Sequence, residues 1–123
     1  KHLRINWTEG EKHFRNCLLD FNKANNVAQW QWVAGCGADA APYFRIFNPI
    51  LQGEKFDKEG LYVKKWVPEL SRVPSKFIHK PWEMELKYQE AIKTIIGEHY
   101  PKPIVIHEKA RAAALEAFQS LKK

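Results

Sequence analysis

Trp30-Gln31-Trp32 is the segment in which residue type and spacing point most directly to chemistry. An indole can fill a core or offer its π-face to a base or a planar ligand. On a helix, positions two apart point about 200° away from one another. The two rings therefore cannot share a face, and one can face the interior while the other faces a cavity or the surface. The chain carries five tryptophans, Trp7, Trp30, Trp32, Trp66 and Trp82. The last two lie near Pro68 and Pro81 and read as packing residues. Arg45, within Tyr43-Phe44-Arg45-Ile46-Phe47, is a cation among apolar neighbours and needs a carboxylate or a phosphate as partner. Asp39 and Glu54 are the nearby carboxylates. A net charge of +6 makes nucleic-acid phosphate the other candidate.

Other chemistries find little support. The five histidines, His2, His13, His79, His99 and His107, show no metal-ligand spacing, so no metal is expected. There is no glycine-rich phosphate loop and no Ser-His-Asp pattern. Two cysteines, Cys17 and Cys36, supply neither a disulfide framework nor a four-thiolate site. They read as reduced thiols of a cytoplasmic protein. No segment approaches the roughly 20 apolar residues of a membrane span, and Lys1-His2-Leu3-Arg4 is not the apolar core of a signal peptide. With 45% hydrophobic and 13% aromatic residues, the chain is not a disordered, solvating one. Its 123 residues amount to one domain with one core. The only methionine is Met84, from which the expectation is that either a long N-terminal part or a short tag or processed segment is absent.

The elements that must position these residues read as helices. Thr8-Glu9-Gly10-Glu11 fits a capping box, and Phe14, Cys17, Leu18 and Phe21 follow at helical spacing, predicting a helix over 9–21. Asn25 and Asn26 can cap a second helix carrying Val27, Trp30 and Val33, which Gly35, Gly37 and Pro42 break. Asn48-Pro49 reads as an N-cap with proline at the first helical position, opening a short helix to Gly53. Asp57 can cap a helix over 58–67 that Pro68 stops. Residues 69–82 form an irregular connection, 83–97 read as helical, and Tyr100-Pro101-Lys102-Pro103 is an extended link. A final helix over 106–121 ends in the basic pair Lys122-Lys123, which suits a helix C-terminus. The expected fold class is all-α, with long irregular connections.

Three blocks then resemble a known family. Asn26-Val27-Ala28-Gln29-Trp30-Gln31-Trp32, Asp39-Ala40-Ala41-Pro42-Tyr43-Phe44-Arg45-Ile46-Phe47-Asn48-Pro49 and Gln52-Gly53-Glu54-Lys55-Phe56-Asp57 are similar to the DNA photolyase/cryptochrome family, with most likeness to microbial class I cyclobutane pyrimidine dimer photolyases. Trp7-Thr8-Glu9-Gly10-Glu11 precedes them at the family's spacing; Trp66-Val67-Pro68-Glu69-Leu70 and Tyr100-Pro101-Lys102-Pro103-Ile104-Val105 follow in order. The resemblance runs over about residues 3–119. It implies that residues 1–123 are the C-terminal segment of the family's helical FAD-binding domain. The antenna domain and the first part of the flavin domain would lie upstream.

The resemblance also implies roles. Asn26 matches the asparagine near the flavin N5, and Asp20 an aspartate beside the isoalloxazine. Asn22 stands where the family often has a second aspartate, which removes one carboxylate from the pocket. Trp30 and Trp7 match the proximal and middle members of the electron-relay triad, whose distal member has no counterpart here. Trp32 resembles the tryptophan that stacks on a flipped dimer, and Arg45 and Lys55 resemble residues contacting the DNA backbone around the lesion. The implied cofactor is FAD, and the implied partners are damaged DNA and the upstream part of the same protein, with no membrane partner. The implied activity is deoxyribodipyrimidine photo-lyase, exercised by the intact parent and not by this chain alone. A cryptochrome-type flavin photoreceptor, and a non-catalytic basic helical module that binds DNA or self-associates, are the alternative readings.

Overall fold

The computed structural model describes residues 1–38 and 44–121. The expectations placed on Asp39 to Tyr43 and on Lys122-Lys123 lie outside the described residues. Six α-helices follow in order: α1 Trp7–Cys17, α2 Lys23–Ala34, α3 Pro49–Phe56, α4 Leu61–Trp66, α5 Leu86–Ala91 and α6 His107–Ser120. Three single turns of 3-10 helix fill the connection between α4 and α5. No strand forms among the described residues, only an isolated bridge between Ile96 and Tyr100. The all-α expectation holds. The chain divides into two compact units, Lys1–Ile46 with Val105–Lys123, and Phe47–Ile104. This is a finer division than the single core expected from length.

In the first unit, α1 packs on α2. The start of α1 differs from the predicted capping box. Asn6 is the N-cap, its side chain accepting from the backbone N–H of Thr8 at 3.1 Å and from the Thr8 hydroxyl at 3.0 Å. Thr8 is thus inside the helix, and Glu11 is released from capping. The helix also ends early, at Cys17, because Leu18 turns extended. Asn22, rather than Asn25 or Asn26, caps α2, accepting from the Asn25 N–H at 2.9 Å. Gly35 closes α2 as predicted. His2 Nε2 and His107 Nδ1 lie 2.9 Å apart, tying the first residues to the start of α6. Phe44 stacks on Phe118 of α6 at 4.1 Å.

The second unit holds the apolar core: Leu70, Val73, Ile78, Met84 and Ile96, with Val63, Val67 and Phe77 packed against it. Asn48 and Pro49 open α3 as predicted, though the helix runs on past Gly53 to Phe56. The helix expected over 58–67 begins only at Leu61. Asp57 makes a turn first, its carbonyl accepting from the Gly60 N–H at 2.8 Å. Gly60 has φ +67°, and a Cβ there would overlap the buried Ile78 side chain. The Asp57 carboxylate then accepts from the N–H groups of Tyr62 and Val63, each at 3.2 Å, and its carbonyl accepts from His79 Nε2 at 2.7 Å. The helix expected over 83–97 shrinks to Leu86–Ala91. The β-branched run Ile92-Lys93-Thr94-Ile95-Ile96 disfavours continuation, and Lys93 adopts φ +55°. The buried Gln89 side chain substitutes for the lost ladder, donating to Met84 O at 2.7 Å and accepting from Ile96 N at 2.8 Å.

Partial desolvation pushes the Asp57 carboxyl up, but the N–H donors of Tyr62 and Val63, His79 and the N–H of Leu61 outweigh it and hold the group below its usual value. A carboxyl lowered in this way contributes stability that is complete above its unfolded value of about 3.9 and is lost as pH falls through the lower folded value. We expect Asp57→Ala to lower the melting temperature of the intact protein at neutral pH. The gap to wild type should close in acid below about pH 3. Thermal unfolding followed against pH checks this, and a gap independent of pH contradicts it.

Candidate functional site

The close approach of α1 and α2 builds the site. Gly10 faces the Trp30 ring so closely that a Cβ at position 10 would overlap it. Phe14, one turn further along α1, meets the same indole edge-on, with ring centroids 5.1 Å apart and planes at 80°. Trp30 is thereby clamped between a bare stretch of backbone and an aromatic edge.

Two hollows border this indole within the first unit. The smaller, of about 210 Å³, is lined by Phe14, Leu18, Asp20, Asn22, Asn25, Asn26, Gln29 and Trp30. The larger, of about 620 Å³, has Trp7 and Trp30 in its wall, with Val33, Ala34, Phe44 and Phe118 among the others. Asp20, Asn22, Asn26 and Trp30 are therefore brought around one hollow, and Trp7 and Trp30 around the other. Asn22 divides its side chain between this wall and its capping bond.

Asn26 is buried. Its Nδ2 donates to the carbonyl oxygen of Glu11 at 3.0 Å and to Glu11 Oε1 at 3.2 Å. Glu11 is itself only 5% exposed. It is paired with Arg15, whose Nη2 lies 2.7 Å from Oε2 and 2.9 Å from Oε1, with Nε at 3.3 Å. Neither Glu11 nor Arg15 was expected at the site from sequence. The readable signal was a Glu and an Arg four apart on α1, which ordinarily marks a solvated helix pair.

Trp32 follows Trp30 on α2, half-buried, and lines neither of these two hollows. Arg45 has an exposed side chain, and its carbonyl accepts from Lys1 Nζ at 2.6 Å. Burial first, then the charge of Arg45, holds the Lys1 amine below its usual value. Of the two carboxylates weighed as partners for Arg45, Glu54 pairs with Lys80 at 3.1 Å, and Asp39 lies outside the described residues. Lys55 belongs to the second unit, exposed on α3, with Nζ 5.1 Å from the Phe56 ring centre. Among the described residues no three His, Cys, Asp or Glu side chains stand together as a metal site. No described helix is long and apolar enough to cross a membrane, and Cys17 and Cys36 are both free.

Helical architecture, paired tryptophans and an amide-lined hollow meet a family model. Residues 1–120 match the FAD binding domain of DNA photolyase, and the chain belongs to that family. Among named relatives, it is similar to the deoxyribodipyrimidine photo-lyase of Agrobacterium fabrum, with 55% identity over all 123 residues but only 26% of the relative. The same-named enzyme of Escherichia coli shares 48% over 123 residues, 25% of its length. Among solved structures, a bacterial class III photolyase from Agrobacterium tumefaciens superposes with a TM-score of 0.91 and 55% identity, covering 99% of this chain and 25% of that one. A cryptochrome from Synechocystis gives 0.86 and 34%, covering 94% and 24%. The chain thus spans about a quarter of the relatives it matches. The class III label on a 55% identical neighbour makes the class I likeness of the motifs one within the photolyases as a whole.

The clamp around Trp30 makes a clear prediction. Alanine normally stabilises a helix over glycine by about 1 kcal/mol, yet Gly10→Ala drives a methyl into the indole. We expect a net loss of about 1–3 kcal/mol, the usual cost of overpacking. Denaturant unfolding of the intact protein checks the sign; a gain in stability contradicts the clamp.

Proposed function

We propose that this chain supplies one wall of the flavin site and part of the lesion-binding face of a blue-light-driven enzyme that splits cyclobutane pyrimidine dimers in DNA. The observation that carries the reading is the gathering of Asp20, Asn22, Asn26 and Trp30 around one hollow. Family membership across residues 1–120 supports it. Apolar faces from Phe14, Leu18 and Trp30, with amides and one carboxylate at the edge, suit a flat heteroaromatic ring with a polar rim. At about 210 Å³ the hollow is smaller than the roughly 300–1,000 Å³ of ordinary ligand sites. The remaining walls belong, on this reading, to upstream chain.

Bound FAD supplies the light absorption and the electron for repair. Asn26 offers it an uncharged amide, so the pocket gains a hydrogen-bonding group with no added charge. Trp30, bordering both hollows, and Trp7, bordering the larger, form the two-indole path along which charge reaches the cofactor. Photolyases are among the enzymes that take their target base out of the stack. Trp32 provides the π-face on which the flipped dimer rests. Arg45 and Lys55 hold the strand by its phosphates, fixing position rather than sequence.

A cryptochrome-type photoreceptor is the second reading, favoured by the likeness to the Synechocystis cryptochrome. Light-dependent repair of a dimer-containing oligonucleotide by the intact protein decides between the two: splitting supports the enzyme, and its absence with flavin bound supports the photoreceptor.

Two further outcomes follow. Mixed with FAD and gel-filtered, the isolated chain should emerge without stoichiometric visible flavin absorbance, whereas the intact protein retains it; retention by the isolated chain contradicts the shared-wall reading. In the intact protein, Trp32→Ala should lower affinity for dimer-containing duplex by about 5- to 150-fold, the range of one lost stacking contact of about 1–3 kcal/mol, with little change for undamaged DNA. Lys55→Ala should weaken both and reduce the slope of log affinity against log salt by about one.

A further inference from the structure

We infer that Arg15, a half-exposed residue outside the hollow, is a positioning residue that fixes which end of the Asn26 amide faces the ligand. The inference rests on the reading of this hollow as a flavin wall. An asparagine side chain has a donor end and an acceptor end of nearly the same shape, so the neighbours decide which points where. Here the decision is made by Glu11. Its backbone carbonyl and its carboxylate both accept, and both lie within reach of one Asn26 nitrogen, at 3.0 and 3.2 Å. Turned the other way, Asn26 would set its own oxygen against two acceptors, one of them charged. The NH₂ end is therefore committed to Glu11, and the carbonyl oxygen is the polar atom of Asn26 left for the hollow it lines.

Glu11 holds that arrangement only if its carboxylate stays in place. The carboxylate is 6% exposed, and Arg15, with 49% of its side chain in solvent, is the cation that meets it. The guanidinium reaches both carboxylate oxygens, at 2.7 and 2.9 Å, a contact that sets direction as well as charge. A buried carboxylate stripped of its partner cation is strongly disfavoured and would swing outward toward water. That movement removes the acceptor that selects the NH₂ end of Asn26. The line of control thus runs from the surface cation through the buried carboxylate to the amide.

The chemical consequence concerns the ligand edge. A carbonyl facing the hollow favours a ligand presenting a ring N–H there, and a flavin carries more N–H groups reduced than oxidised. Arg15 therefore acts to favour the reduced cofactor without touching it. The test uses the intact flavoprotein containing this chain, with Arg15→Met, Arg15→Lys and Lys12→Met. Lys12→Met removes one exposed positive charge from the same helix without touching Glu11. The readout is the oxidised-to-reduced flavin ratio at fixed ambient potential. We expect Arg15→Met to raise that ratio about tenfold, equivalent to about 30 mV for a two-electron couple. Arg15→Lys should recover most of the shift, and Lys12→Met should change the ratio less than twofold. Arg15→Gln, which keeps a polar chain, replaces Arg15→Met should that variant not fold. A ratio within twofold of wild type in the charge-removing Arg15 variant, or an equal shift in Lys12→Met, overturns the inference while leaving the flavin reading intact. Failure of the wild-type intact protein to retain flavin overturns the reading itself.

Discussion

The contact on which the first unit depends is the approach of α1 to α2 at Gly10, Glu11 and Asn26. At this point the two helices meet through a glycine and the buried polar pair Glu11 and Asn26 rather than through interlocked aliphatic side chains. Ridges-into-grooves packing normally keeps helix axes 8–10 Å apart, at a distance set by the side chains between them. Gly10 contributes no side chain there, so the broad Trp30 ring can lie against the α1 backbone. The adjoining carboxylate and amide then satisfy one another where both are buried. A polar contact of this kind is only modestly stabilising, because both groups surrender hydration. It is strongly directional, however, and direction is what a ligand wall needs.

The contrast with the second unit bears this out. Around Leu70, Val73, Ile78, Met84 and Ile96 the chain builds an apolar core from short helices and single turns. Its polar contacts serve the backbone: Asp57 caps α4, and Gln89 replaces a missing stretch of helix. In the first unit the only buried apolar side chain among the described residues is Ala114 of α6, while Glu11 and Asn26 are the buried polar ones. Among the described residues the buried apolar side chains concentrate in one unit and the candidate flavin chemistry in the other. This suits a segment that makes up about a quarter of the relatives it matches.

Much of the architecture was legible from the residues because local rules decide it. Asn48-Pro49 opened α3, Gly35 closed α2, and α6 came out within about a residue of its predicted bounds, each being a choice made within one turn of helix. The expectation of cyclobutane-dimer chemistry did not come from those rules; it came only through the family blocks. The failures arose where a local signal competed with something further away. Thr8 and Glu11 fit a capping box, but Asn6 took the cap, and a partner 15 residues on in sequence took the carboxylate. The run after Ala91 read as helix on its apolar spacing, yet its β-branched residues and a side-chain substitute from Gln89 redirected the backbone.

Arg15 illustrates the limit most sharply. In sequence it is one of 20 basic residues, four positions from a glutamate on a helix, and such pairs on a solvated surface contribute little. What distinguishes it is that the carboxylate it meets is buried, and burial is a property of the α1–α2 contact, not of α1. The same guanidinium that would be decorative on an isolated helix becomes the counter-charge that permits a buried carboxylate beside Asn26. Function is transmitted here by the order of burial: cation outside, anion within, amide at the wall, each fixing the orientation of the next.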